Sequence, residues 1–152
     1  MQKSMVTSSD CGIRWTSIES DMFRSRVFVV LGKQDESREF ILKKFKVTDR
    51  SSIDEITGSM CAAGCMIPLV TEYGTFHVMW ISEESHEFTM DNCDDMENIV
   101  HESEHAINGV LRDRGLSLTK ESEETYAYMK GWFVGKIFKW LKKTGKAEKN
   151  DN

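Results

Sequence analysis

The sequence predicts one α+β domain, a small and mostly antiparallel sheet packed on a histidine-bearing helix and a long C-terminal helix. Three stretches predict it. "RVFVVLG" (26–32) is a β-branched run closed by glycine, the composition of a buried strand. "MIPLVTEYGTFHVMWIS" (66–82) sets two apolar segments either side of a glycine-bearing turn, which reads as a hairpin. From residue 94 onward apolar residues recur at spacings of three and four in two long stretches, the period of an amphipathic helix. A chain of 152 residues can bury one core and is short for two.

Taken in order, residues 1–20 are polar and poorly periodic and predict a loosely packed N-terminal arm. After the strand at 26–32, "KQDES" is a turn, and "SREFILKKF" (37–45) places Phe40, Ile41 and Phe45 at helical spacing; a second strand is the alternative. "TDRSSIDEITGSM" carries Ser and Asp residues suited to capping a short helix. In the second arm of the hairpin Phe76, Val78 and Trp80 alternate with His77, Met79 and Ile81, so the two sets face opposite sides. "EESHEFTMDNCDD" is an acidic loop. One helix is expected from Asp94 or Asp95 to Arg112, stopped by the glycine of "DRG". Another runs from about Thr119 to Lys143, with glutamates at its start and lysines at its end, as the helix dipole favours. Residues 144–152 read as a frayed tail.

Charge narrows the function classes. The formal net charge is −5, with 30% charged and 39% hydrophobic residues. Such a chain has no general attraction for phosphate backbones or anionic membranes, so neither nucleic acid nor a membrane is expected as partner. No apolar run approaches the length that spans a bilayer, and the N-terminus lacks a signal-peptide core, which predicts a cytoplasmic protein. The four cysteines, Cys11, Cys61, Cys65 and Cys93, are then expected as reduced thiols; "CAAGC" has three residues between its cysteines rather than the two of a zinc knuckle.

The chemistry sits in "NIVHESEHAING" (98–109), which contains H-E-x-x-H. On a helix, residues four apart share a face, so His101 and His105 can direct ring nitrogens at one zinc ion. Glu102 lies about 100° round the helix from His101, where it can act as a base without binding the metal. Met96, Ile99, Val100, Ile107, Val110 and Leu111 form one apolar stripe, and the two histidines fall roughly opposite it. They are therefore not core residues. The bland alternative is a pair of exposed surface histidines.

A catalytic zinc usually takes a third protein ligand. His77, His86 and the glutamates of the last helix are the candidates. In "KESEETYAYMKGWFVGK" the core stripe is Tyr126, Met129, Phe133, Ile137 and Trp140. A separate stripe holds Glu124, Ala127, Gly131 and Gly135, and glycine in a helix interior costs about 1 kcal/mol, so a close helix contact is expected there. That would bring Glu124, rather than Glu123, to the metal.

"HESEH" followed by "EETYA" resembles the gluzincin branch of the zinc metallopeptidases, in which H-E-x-x-H precedes a glutamate ligand on a later helix, often with alanine three positions on. The residues are also similar to small phage-encoded proteins carrying "HE-x-x-HA" and a later "SEE-x-x-AY". The resemblance covers residues 94–141. It implies a minimal zincin-like fold, His101, His105 and Glu124 as zinc ligands, Glu102 as general base, and a peptide or protein substrate. It also implies that the strand "TFHVMWI" borders the cleft and pairs with an extended peptide. The chain departs from the pattern in its small size and in having Tyr128 where an aspartate would follow the glutamate ligand; Tyr128 and His77 are the candidates to stabilise a transition state.

Two functions are thus expected in turn: a zinc metallopeptidase, or a non-catalytic zincin-like scaffold, viral in origin, that binds a host protein.

Overall fold

The computed structural model describes residues 12–21, 23–71 and 74–148, with side chains to residue 144. Its elements in order are β1 (Arg14–Ser20), β2 (Ser25–Gly32), α1 (Gln34–Lys44), α2 (Arg50–Ser59), β3 (Gly64–Thr71), β4 (Gly74–Ser82), α3 (Cys93–Asp113) and α4 (Glu123–Glu148). The class is α+β as expected.

The sheet runs β1-β2-β4-β3, with β1/β2 and β3/β4 antiparallel and β2/β4 parallel. The parallel pair arises because β2 returns to the sheet through α1, α2 and β3 before β4 is laid beside it. Both sheet faces are covered. On one, Val27, Val29, Leu31, Met79 and Ile81 meet the inner sides of α3 and α4. On the other, Phe28, Val30, Val78 and Trp80 meet Ile41 of α1 and Ile56 of α2. The strict alternation along β2 and β4 is the period-two rule applied to a sheet buried twice.

Two expectations at the chain ends are corrected. Residues 14–20 are a strand rather than part of a loose arm: Ile13, Thr16 and Ile18 are buried, and β1 pairs along its whole length with β2. Polar residues on both faces of this edge strand, Thr16 and Ser20 among the buried ones, concealed its period. Residues 1–11 lie outside the described residues. At the other end α4 continues to Glu148, past the expected stop.

The hairpin is β3–β4, closed at Thr71 and Gly74. β4 lies between β2 and β3, both its edges occupied, so the expectation that "TFHVMWI" pairs with an extended peptide fails. Among the described residues, the strand bordering α3 with an unpaired edge is β3.

α3 begins at Asn92, whose side chain accepts from the Asp94 amide at 2.9 Å. It ends in a Schellman arrangement. The Leu116 amide donates to the Leu111 carbonyl at 3.0 Å, the Gly115 amide to Arg112 at 2.9 Å, and Gly115 takes φ 74°. α4 lies antiparallel to it: the Tyr126 hydroxyl donates to the Leu116 carbonyl at 3.1 Å, and Lys130 pairs with Glu104 at 2.6 Å. The expected α4 core stripe, Tyr126, Met129, Phe133, Ile137 and Trp140, is buried throughout. No helix among the described residues is long and apolar enough to cross a membrane.

Candidate metal centre

His101 and His105 stand on the outer side of α3, both exposed, and their Nε2 atoms lie 3.2 Å apart with the rings edge to face. Two nitrogens at ~2.05 Å from one tetrahedral zinc are about 3.3 Å apart. The pair therefore has the separation half of such a site requires. The same separation is a hydrogen bond when one Nε2 carries a proton and the other does not.

Glu102 turns inward. It is 7% exposed, and one of its carboxylate oxygens lies 3.9 Å from His101 Nε2. Burial pushes its carboxyl above the usual range, and the two neighbouring histidines pull it back down. Room for its side chain comes from β3: a Cβ on Gly64 would sit 2.9 Å from Glu102 Cγ and 3.1 Å from the Trp80 carbonyl oxygen. The buried side of α3 is thus broader than the expected apolar stripe. It takes in Glu102, Ser103, Ala106 and Gly109, while Val100 is 39% exposed. The histidines lie opposite the expected stripe, but these residues fell outside it, because a buried glutamate and serine carry no hydrophobic signal.

The expected third ligand is not brought to the histidine pair among the described residues. Among the described residues no group of three or more His, Cys, Asp or Glu side chains could hold a metal ion. Glu124 is exposed in the first turn of α4. The close helix contact expected to bring it to the metal is not made by its stripe: a Cβ on Gly131 or Gly135 would meet nothing within 4 Å, and Gly131 is exposed, so that stripe is not the contact with α3. The contact runs through the apolar core and the Lys130–Glu104 pair instead. Glu123, seven residues before Lys130, shares its face of α4, whereas Glu124 lies about 120° round. Both precede Lys130 by about 9–10 Å along the axis, on the side toward the α3 C-terminus.

The other histidines are engaged elsewhere. His77 is buried, with Nε2 2.8 Å from Asp113 Oδ2, and α3 admits its ring because position 109 is glycine; a Cβ there would lie 3.0 Å from the ring. His86 binds Asp95 at 2.8 Å. Asp95 is a buried residue the sequence reading missed. It also accepts the Thr89 amide at 2.9 Å and so folds the acidic loop onto the start of α3. Tyr128 is 78% exposed. Cys61, Cys65 and Cys93 are free thiols, and burial pushes Cys65 up to about 12, with Glu102 and Cys61 adding to the rise. Cys11 lies outside the described residues.

No protein-family model, curated protein or solved structure matches this chain.

Proposed function

We propose that the protein is a zinc-dependent hydrolase of the metallopeptidase type, acting on a peptide or protein in the cytoplasm. The observation that carries the reading is the 3.2 Å approach of two imidazole Nε2 atoms on one helix face. The donor set suits zinc, which takes neutral imidazole in tetrahedral sites. His101 and His105 would hold the ion; resemblance to the gluzincins gives Glu124 as third ligand, with Glu123 the alternative, and either would have to reach the pair from about 9 Å or more along the helix axis beyond the level of Glu104. When bound, zinc supplies a Lewis acid that acidifies water and polarises a carbonyl.

The remaining work belongs to Glu102. Its carboxylate accepts a proton from the attacking water and returns it to the departing amine. A purely structural zinc site has no use for a carboxylate beside its first histidine. A buried glutamate, set against Gly64 and unpaired with any lysine or arginine among the described residues, is what a base in such a site would look like.

The test is a pair of substitutions. Glu102→Gln should abolish hydrolysis of a peptide library while zinc content is retained. His105→Ala should abolish both. Retained hydrolysis in Glu102→Gln contradicts the reading.

One observation favours the second function, a zincin-like interaction protein without catalysis: the third ligand is not in place among the described residues. A scaffold of that kind would bind its partner equally well as Glu102→Gln and wild type, and would cleave nothing.

A further inference from the structure

The histidine pair of α3 has the bite of half a tetrahedral site, and it points away from the fold. His101 and His105 are both exposed, the His101 side chain by 68%, with Nε2 atoms 3.2 Å apart. Glu102 between them in sequence is turned inward. A closed zinc site takes four ligands, so a second pair of the same kind completes this one.

We infer that two copies of this chain share one zinc ion, held by His101 and His105 of each. The inference rests on the metal-binding part of the reading above and adds a regulation to it. The second copy's imidazoles fill the positions that a third ligand and an attacking water would use, so the shared state is closed to hydrolysis.

The face of α3 around the pair is self-complementary in charge. At about 100° per residue, Asp94 and Arg112 both fall on the line midway between His101 and His105. One lies nine residues before the centre of the pair and the other nine after, about 13–14 Å to either side along the axis. Both are exposed, and neither side chain makes an ion pair among the described residues. A two-fold axis through the ion with the helices antiparallel sets Asp94 of each copy against the partner's Arg112. Parallel helices would set like charge on like. Antiparallel packing also places opposite ends of the two helix dipoles together.

The surroundings suit a shared ion. Exposed rings can turn about χ1 and χ2 until the four nitrogens stand tetrahedrally, which a buried pair could not do. Glu97, one turn before His101 on the same face, is exposed, and its two copies offset the charge that four neutral imidazoles leave on the ion. Glu104 is already held by Lys130 within the chain. Zinc supply then sets the state by mass action. Below half an equivalent the ion is shared between chains, and with zinc in excess each chain holds its own.

The test is sedimentation velocity of the full chain without a histidine tag, at high protein concentration, as zinc is raised from none to beyond one equivalent. The dimer should be greatest at about half an equivalent and give way to monomer as each chain acquires its own ion. His105→Ala should remain monomeric throughout. Asp94→Arg should weaken the dimer at least about fivefold, because two attractive contacts become repulsive, and Asp94→Arg/Arg112→Asp should restore it. Protein that binds zinc yet stays monomeric at every ratio overturns this inference and leaves the hydrolase reading standing. Protein that binds no zinc overturns both. A dimer that persists in His105→Ala, or is as tight in Asp94→Arg as in wild type, overturns this inference alone.

Discussion

Two glutamates two residues apart on α3 show how far position, rather than residue type, sets chemistry. Burial raises the Glu102 carboxyl, whereas a hydrogen bond from Lys130 lowers that of Glu104. Their contributions to stability have opposite pH dependence. Glu102 binds its proton more tightly folded than unfolded, so its ionisation penalises the native state as pH rises through the folded value. Glu104 binds its proton less tightly folded, so its contribution is lost as pH falls through the folded value. In metal-free protein, Glu102→Gln should therefore stabilise at neutral pH and Glu104→Gln destabilise, with both differences vanishing well below the carboxylate range. Urea unfolding at two pH values checks this, and the same sign for both substitutions would contradict it. The sequence showed that Glu102 stands about 100° from His101, but a glutamate there carried no signal that this position is buried. That required knowing that Gly64 of a distant strand leaves space for it.

At the scale of elements, the helices were legible because their stop signals and periods are local. Gly115 ends α3 as expected and the five apolar residues of α4 mark its inner side, while the cap itself, Asn92, lies just before the start that was expected. Asn92→Ala should cost about 1 kcal/mol, measured by chemical denaturation. Gly109→Ala should also destabilise, by about 1–3 kcal/mol, although alanine is the better helix former, because its methyl would strike the His77 ring. A stabilising Gly109→Ala would show that the ring yields freely. What could not be read was the neighbour of each helical face. Gly131 and Gly135 suggested a close helix contact, yet they face open space, and α3 and α4 meet instead through their shared apolar core and the Glu104–Lys130 ion pair. A stripe of small residues gives the width of a surface and says nothing of what lies against it.

For the whole molecule, the sheet carries a core on each face, and β2 and β4 belong to both. The parallel pairing of those strands was hidden, since strand order depends on crossovers that leave no periodic trace in the sequence. Shared strands should make the two cores unfold together. Ile41→Ala in one core and Ile107→Ala in the other should each cost about 2–5 kcal/mol and lower a single calorimetric transition. Two separated transitions in either variant would show that the layers are independent. The central claim, that two imidazoles on the face of α3 receive a metal, has the most direct test of all. Metal analysis of protein purified without a histidine tag and dialysed against limiting zinc should return about one equivalent per chain, falling to none in His105→Ala. Wild-type protein that retains no zinc under those conditions contradicts the account.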